Sequence, residues 1–249
     1  QTVLGKIKNA ARDFIKQLQP ADRALIVSFD NDVEVLSEFT SDRKILDTAI
    51  KNAEIGERVG TVMNDAVFEV VDKTFANLKG RKAIVLLTDG KDVGSYVNRK
   101  DLIYRLEESD TLVYSIFYET GNARRFNQNR SNIFFPNRRG QRRRQFTFPD
   151  NFPQVNRNPN NPRQVLMQEM NEDAITFLQK IADSTAGRLY QKEVQDLEAT
   201  FKTIADELRK QYLIGYYPEN SESAKTHQVK VKVDKNDVVR RAKNSYRSK

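Results

Sequence analysis

The sequence predicts an α/β protein with a doubly wound, mostly parallel sheet. Short apolar runs that end abruptly in turn residues, such as residues 83–87, are typical of strands buried on both faces. Segments with apolar residues at helical spacing lie between these runs. Strands that alternate with helices of this kind favour crossover connections and parallel pairing. A length of 249 residues is enough for one large domain with an appendage.

The first half of the chain begins with an amphipathic helix and continues into a strand hairpin. Apolar residues at helical spacing predict a helix over residues 3–18, which Pro20 follows. Residues 24–29 form an apolar run, and the turn Asp30-Asn31-Asp32 leads into a hairpin partner at 33–39. Thr40-Ser41-Asp42 offers caps for the next helix, whose apolar positions are Ile45, Leu46, Ala49 and Ile50.

The middle of the chain contains the clearest strand and the clearest helix. After a loop at 56–60, apolar residues at helical spacing predict a helix over 63–78, which Gly80 ends. The strand at 83–87 then breaks into Thr88-Asp89-Gly90. A helix at 98–108 and a buried strand at 111–117 follow. Asp89 should therefore lie at the carboxyl edge of the sheet, where open α/β folds bind their ligands.

Residues 121–163 form a segment rich in Asn, Arg and Pro that shows no regular periodicity. Residues 121–170 contain ten arginines and two acidic residues, which accounts for the whole net charge of +8. We therefore predict a neutral domain that carries a basic low-complexity insert at 121–163. The insert favours contact with an acidic protein or envelope surface over nucleic acid, because no nucleic-acid-binding module is visible.

The chain then regains regular structure. A helix around 174–182 that ends at Gly187, a strand at 188–191 and a helix at 197–208 complete the predicted domain at 1–210. Residues 211–249 form a predicted antiparallel β appendage, with strand-like runs at 212–217 and 227–233. His227, the single histidine, is expected on the exposed face of the second run.

Composition excludes several classes of function. The chain has no cysteine, so it has no disulfide framework and no thiolate chemistry. No apolar run approaches the length needed to span a membrane. The sequence contains neither a nucleophile elbow nor a phosphate-binding loop, and we expect no catalytic function. No signal peptide is present at Gln1, so we expect the native N-terminus elsewhere.

Four stretches together resemble a von Willebrand factor type A (VWA) domain, most closely its bacterial VWA-related branch. They are residues 22–29 with the acidic turn that follows, residues 60–66 (GTVMNDA), residues 84–90 and residues 211–216 (QYLIGY). The resemblance implies a Rossmann-like fold with a metal-ion-dependent adhesion site built from three loops. Thr61 matches the threonine of the second loop, and Asp89 matches the aspartate of the third.

The resemblance also implies that one part of this site is missing. The first strand and its Asp-x-Ser-x-Ser loop are absent, because Gln1 stands where the following helix should begin. Either the sequence is trimmed or the missing part is supplied elsewhere. Thr61 and Asp89 would bind Mg²⁺, or Mn²⁺ or Ca²⁺, only if that loop is present in the intact protein. Hard divalent cations prefer such oxygen ligands.

Each candidate residue also has a purely structural interpretation. Asp89 could cap the turn that follows it, and Thr61 could cap a helix. Asp65 is expected to fix its loop by hydrogen bonds rather than to bind metal. Asp30 and Asp32 are expected to be hairpin-turn residues.

We therefore predict a divalent-metal-dependent protein-binding module in a secreted or envelope setting. Its partner would be another protein, engaged through an acidic residue. The first alternative is a metal-independent structural or assembly domain that uses the Arg-rich insert and the tail. The second alternative is a nucleic-acid-binding protein.

Overall fold

The computed structural model describes residues 3–54, 60–118, 162–191, 196–212, 226–232 and 245–247. The helices in these ranges are α1 (Val3–Gln17), α2 (Arg43–Asn52), α3 (Met63–Glu69), α4 (Arg99–Glu108), α5 (Pro162–Ser184) and α6 (Leu197–Lys210). The strands are β1 (Ala24–Phe29), β2 (Val33–Thr40), β3 (Lys82–Thr88), β4 (Thr111–Phe117), β5 (Arg188–Gln191), β6 (Thr226–Gln228) and β7 (Ser245–Arg247). This order confirms the predicted α/β class.

A parallel sheet in the order β3-β4-β5 forms the centre of the fold. β3 and β4 pair along their whole length, from Lys82 opposite Thr111 to Thr88 opposite Phe117. β5 joins the other side of β4, and α5 lies between these two strands in the sequence. Six of the seven residues of β4 are buried, as expected for a strand with neighbours on both sides and helices on both faces. The mostly parallel sheet is therefore confirmed.

β1 and β2 form a separate antiparallel hairpin. Phe29 lies opposite Val33 near the turn, and Ala24 lies opposite Thr40 at the open end. The predicted hairpin is therefore confirmed. Among the described strands β1 pairs with β2 alone, and β3 pairs with β4 alone. The sequence analysis predicted a mostly parallel sheet that lacks its first strand, and β1 and β3 lie in separate sheets here.

Helices cover the strands on both sides. A cluster on one side contains buried residues of α3, α4 and α5 together with β3 and β4; they include Met63, Val67, Leu86, Leu102, Val113, Leu178 and Ile181. A cluster on the other side joins α1 and α6 to β4; it includes Ala10, Tyr114, Ile116, Phe201 and Ile204. A third cluster joins α1 to α2 through Ile15, Leu46 and Ile50. These layers bury most of the apolar positions that the helical spacing predicted, but Ile45 of α2 is 51% exposed.

Two predicted helices have different bounds in the structure. The helix predicted over 63–78 is α-helical only to Glu69, and Val70–Thr74 then form a π-helical turn. The Phe75 N–H bonds to the Val70 carbonyl at 2.8 Å, five residues back, which ends the α-helical register. α5 begins at Pro162, two residues inside the predicted insert, because proline is well tolerated in the first turn of a helix. Residues 121–161 of the insert lie outside the described residues.

The C-terminal region contains an antiparallel pair, β6 with β7, in which Thr226 lies opposite Arg247. β6 overlaps only the start of the predicted strand at 227–233, because residues 229–232 are not in a strand, and most of the predicted strand at 212–217 lies outside the described residues. The expected exposure of His227 is wrong. His227 and Val229 are both half-buried and lie on one face, whereas Gln228 and Lys230 lie on the other face and are exposed. Within the described ranges, no helix is long and apolar enough to cross a membrane.

Candidate functional site

Three loops meet at the carboxyl edge of the strands. They are the turn after β1, residues 60–62 before α3, and residues 89–98 between β3 and α4. The Val62 N–H donates to the Asp30 carbonyl at 2.7 Å, which joins the first two loops. Thr61 and Val93 exchange backbone hydrogen bonds of 3.2 and 2.8 Å, which joins the second loop to the third. Thr61 and Asp89, the two residues predicted as metal ligands, therefore lie on loops of the same edge.

Two aspartates, Asp65 and Asp92, connect the second and third loops, and we call them the aspartate brace. The carboxylate of Asp65 accepts hydrogen bonds from the backbone N–H groups of Tyr96 at 3.0 Å and Val97 at 2.8 Å. This geometry confirms the prediction that Asp65 fixes its loop by hydrogen bonds.

Asp92, on the third loop, accepts a hydrogen bond from the start of α3. One of its oxygens accepts from the Asn64 backbone N–H at 2.8 Å and from the Ser95 hydroxyl at 2.7 Å. The Ser95 hydroxyl in turn accepts from the Asp65 N–H at 3.2 Å. The first turn of α3 thus gains acceptors for its otherwise unpaired N–H groups from a neighbouring loop. The sequence analysis missed Asp92 and Ser95, although an aspartate three residues before a serine in a loop is a hydrogen-bonding pattern worth testing.

Thr61 does not cap a helix, so that alternative is wrong. Val62 holds the N-cap position of α3 and makes no side-chain capping bond. The Thr61 hydroxyl instead donates to the Gly60 carbonyl at 2.7 Å. A hydroxyl that donates in this way keeps its lone pairs as acceptors, so it can still offer oxygen to a cation.

Asp89 stabilises the turn that follows β3. Its Oδ1 accepts from the Lys91 N–H at 3.2 Å, and its Oδ2 lies 3.4 Å from the Lys91 Nζ. About one-fifth of each side chain is exposed, 20% for Asp89 and 21% for Lys91. The capping interpretation of Asp89 is therefore confirmed, and it is compatible with a role in binding. The lysine, which the sequence analysis did not select, supplies positive charge beside the predicted metal ligand.

Tyr118, just after β4, reports the electrostatics at this edge. Burial, together with the negative charge of Asp89, raises the pKa of Tyr118 to about 12. Both effects disfavour the phenolate, so Tyr118 is neutral at physiological pH. Asp89 is thus close enough to the end of β4 for its charge to be felt there.

Asp30 and Asp32 form the turn between β1 and β2, as predicted. The Asp32 N–H donates to Asp30 Oδ1 at 3.3 Å, and the Asp30 N–H donates to the Asp32 carbonyl at 3.2 Å. A side-chain oxygen that accepts from the backbone two residues on is typical of an aspartate turn.

The residues at this edge fit a hard divalent cation in chemistry but not in number. Thr61 and Asp89 supply a hydroxyl and a carboxylate oxygen, which are ligands that Mg²⁺ prefers. In the part of the chain that the structure describes, no group of three His, Cys, Asp or Glu side chains is arranged to hold a metal. Lys91 already balances part of the Asp89 charge. The assignment of Thr61 and Asp89 as metal ligands stays a prediction.

The third loop also presents apolar surface to solvent. Tyr96 is 98% exposed and Val93 is 61% exposed, although the backbone of both residues is held by hydrogen bonds. Periodicity could not identify them, because they lie in a loop rather than on the face of a helix or strand. The signal that could have identified them is their position in a loop at the carboxyl edge of the sheet, because binding residues often lie on such loops.

Comparisons with known proteins agree with this fold. A family profile described as von Willebrand factor type A domain matches residues 1–91, a range that includes Thr61 and Asp89. A search of the curated proteins found no relative. The solved structure of BatB from Bacteroides thetaiotaomicron is 16% identical, with a TM-score of 0.51, over 83% of this chain and 87% of that protein.

Two other solved structures share the fold and come from different kinds of protein, a pilus tip protein and a mussel byssus protein. The VWF domain of Mfa5, a type V pilus tip protein from Porphyromonas gingivalis, is 11% identical with a TM-score of 0.52 over 87% of this chain and 92% of that domain. Proximal thread matrix protein 1 from the mussel byssus, solved with a zinc-occupied MIDAS motif, is 12% identical with a TM-score of 0.50. That match covers 82% of this chain and 42% of the mussel protein.

At these identities the structural matches establish the fold, and the family profile adds a sequence match over the stretch that carries the candidate site. Both agree with the motifs singled out in the sequence. Residues 1–91 therefore match the von Willebrand factor type A family in sequence, and the described chain has the Rossmann-like fold of that family's solved structures.

Proposed function

We propose that this protein is a protein-binding module whose contact surface is the carboxyl edge of the strands. The observation that carries the proposal is the braced loop that exposes Val93 and Tyr96. An exposed tyrosine on a fixed backbone can bury a large area with little loss of conformational freedom. Family membership supports an interaction role, because VWA domains are protein-interaction modules.

We further propose that the interaction depends on a divalent cation when an Asp-x-Ser-x-Ser loop completes the site. Thr61 and Asp89 would then hold the cation, and an acidic residue of the partner protein would complete its coordination shell. This proposal follows from the oxygen chemistry of the two residues and from their position on loops of one edge. The identity of the cation, Mg²⁺ or another, is part of the proposal.

We also propose a binding function rather than catalysis, in a secreted or envelope setting. The setting is supported by the solved structures that share the fold, which include a pilus tip protein and an aerotolerance-related membrane protein. Metal-independent assembly through the Arg-rich insert and the tail is the second candidate. It is favoured over nucleic-acid binding because no nucleic-acid-binding module is visible and the residues outside 121–170 carry no net charge.

The proposed surface can be tested with a photo-reactive amino acid at position 96 and, as a matched control, at position 104. Tyr104 is also an exposed tyrosine, at 60%, but it lies on α4. We expect a discrete cross-linked partner from position 96 and none from position 104.

The cross-linked partner, once purified, allows a quantitative comparison. Its affinity should fall about tenfold for Tyr96→Ala, the loss typical of an anchoring residue, and should not change for Tyr104→Ala. Equal losses for the two variants would show that the carboxyl edge is not the contact surface.

The test of metal dependence requires a version of the domain that also carries an Asp-x-Ser-x-Ser loop. MgCl₂ should raise its melting temperature, because a ligand that binds only the folded state stabilises it by mass action. Asp89→Ala should abolish this rise. Asp206→Ala, which removes an exposed aspartate paired with Arg209 on α6, should leave it intact. An equal rise in both variants would exclude Asp89 as a ligand.

A further inference from the structure

The first three turns of α5 project beyond the carboxyl edge of the sheet, and we call residues 162–173 the α5 overhang. Ala174 marks the level of that edge, because a Cβ on Gly90, just after β3, would lie 2.7 Å from its own Cβ. Near the other end of the helix, Thr185 accepts a hydrogen bond of 3.1 Å from the N–H of Val113, in the first half of β4. The residues from the start of α5 to Ala174 therefore extend about 18 Å past the edge, at the rise of an α-helix.

Burial changes abruptly at the end of the overhang. Six of its seven described side chains are exposed: Leu166, Gln168, Glu169, Met170, Glu172 and Asp173. The helix then buries residues at helical spacing in the main core cluster, beginning with Ala174 and Phe177. The described side chains of the overhang thus lack the packing that stabilises most helices in proteins.

Two exposed apolar side chains lie on one face of the overhang. Leu166 is 55% exposed and Met170 is 41% exposed, and a separation of four residues places them one above the other. Phe177 lies seven residues beyond Met170 on the same face, where the guanidinium carbon of Arg99 is 4.5 Å from its ring centroid. The apolar pair therefore continues a stripe that is buried further along the helix.

Acidic side chains flank this pair. Glu169 and Glu172 are exposed, and Glu172 accepts a hydrogen bond of 3.0 Å from the neutral side chain of Gln168. Asp173 differs from them, because Arg99 pairs with it at 2.7 Å. The overhang thus presents an apolar pair beside two carboxylates. This combination favours an occupant that carries both apolar and basic side chains.

Residues 121–161 of this chain have the complementary composition. They contain six phenylalanines and nine arginines, against a single acidic residue, Asp150. Arginine suits exposed carboxylates, because its guanidinium group can donate two parallel hydrogen bonds. Phenylalanine buries a large apolar area, and its ring makes favourable contacts with the sulfur of methionine. The segment therefore matches the overhang in charge and in apolar character.

Both ends of this segment are joined to the carboxyl side of the sheet. Before the segment, the N–H of Tyr118 donates to the carbonyl of Thr88, the last residue of β3, at 3.2 Å. After the segment, Pro162 is the first residue of the overhang itself. A tethered segment meets a surface near its own ends at an effective concentration on the order of millimolar, so individually weak contacts are sufficient.

We propose that the α5 overhang is an intramolecular docking surface for residues 121–161. Phenylalanines of the segment cover Leu166 and Met170, and arginines of the segment pair with Glu169 and Glu172. The contact uses none of the residues assigned to the cation site or to the braced loop. It therefore stands apart from the binding function proposed above.

Photo-cross-linking in the full chain tests where the segment docks. A photo-reactive amino acid replaces Met170, and the matched control carries it in place of Gln168, which is exposed at the same level on the opposite side of the helix. The samples contain EDTA and no partner protein, so the result is independent of the proposed binding edge. We expect cross-links from position 170 to residues 121–161 of the same molecule, and a loss of these cross-links at position 168.

Hydrogen exchange measures the effect of the contact on the helix. In one variant all six phenylalanines of residues 121–161 become serine, and in a second all nine arginines become glutamine, so the chain length stays the same. Each variant should accelerate exchange at 166–173 about tenfold, which corresponds to a lost contact of about 1.4 kcal/mol, and should change 111–117 little. Glu169→Lys should have the same effect, whereas Glu107→Lys, at an exposed position of α4, should not.

Three results would overturn the proposal. Cross-links to residues 121–161 that are absent, or equally abundant from positions 168 and 170, would show that the segment does not dock on the apolar face. Cross-links that join isotope-labelled to unlabelled molecules in a mixture would identify a second copy as the occupant. Unchanged exchange at 166–173 in both segment variants would show that neither apolar nor ionic contacts hold the segment on the overhang.

Discussion

At the scale of single residues, the aspartate brace explains how the site keeps its shape. Asp65 accepts two backbone hydrogen bonds across 31 and 32 residues of sequence, so one carboxylate orders two loops. Hydrogen bonds to charged groups contribute more to stability than bonds between neutral groups, because the ionised acceptor is stronger. The side chains of Thr61 and Asp89, by contrast, make hydrogen bonds to backbone groups only one and two positions away.

We expect Asp65→Ala to lower the free energy of unfolding by about 2 kcal/mol, since two backbone donors lose a charged acceptor. Urea denaturation measures this change. Asp13→Ala is the matched control, because it removes an exposed carboxylate paired with Lys16 on the surface. Its effect should stay below about 1 kcal/mol. A loss for Asp65→Ala no larger than that of the control would contradict the brace.

At the scale of elements, glycine sets how closely α5 and β4 approach. A Cβ on Gly187 would lie 1.9 Å from the carbonyl oxygen of Val113, an atom of the buried strand that cannot move aside easily. Gly80 is different, because its φ of +98° favours glycine while a Cβ there would meet nothing within 4 Å. Substitution of Gly187 therefore tests steric packing, and substitution of Gly80 tests backbone conformation.

Gly187→Ala should destabilise the protein by about 3 kcal/mol or more, since strand and helix end would have to separate. Gly80→Ala should cost about 1–2 kcal/mol, the price of a left-handed conformation for an L-residue. Thermal melting of the two variants shows which substitution destabilises the protein more. A smaller effect at Gly187 than at Gly80 would contradict the close approach seen in the structure.

At the scale of the whole molecule, charge separates the folded domain from the insert. Residues 121–161 hold nine arginines and one aspartate, so their removal changes the net charge from +8 to zero. The surrounding elements end at Phe117 and begin at Pro162. A short Gly/Ser linker can therefore replace the segment without cutting a described helix or strand.

This replacement should abolish salt-dependent retention on heparin, because clustered arginines supply the attraction to a polyanion. The circular dichroism spectrum of the folded domain should change little. Retention at the same salt concentration after the replacement would show that the neutral part of the chain, and not the insert, binds anions.

Much of the fold could be predicted from the sequence, and the limits of that prediction have physical causes. The runs at 24–29, 83–87 and 111–117 are apolar enough to identify as strands, and Asp89 was placed correctly at the edge. The order of the strands in the sheet could not be predicted, because strand pairing is set by contacts between segments distant in the sequence. The phase of His227 was misjudged for a related reason, since alternation gives two faces but not which one is covered.

The candidate site was predictable only in part. Thr61 and Asp89 were found through the resemblance, whereas Asp92 and Ser95 act through bonds to α3 that no local pattern reveals. Lys91 was missed because its importance comes from its distance to Asp89.

The brace has a further consequence for how tightly the carboxyl edge could hold a partner. A loop that must be ordered on contact loses conformational entropy, and that loss weakens the complex. The loop with Tyr96 is already ordered by carboxylates of α3 and of its own turn, so little entropy remains to be lost. Variants that loosen the brace should therefore weaken binding to a partner that contacts Tyr96.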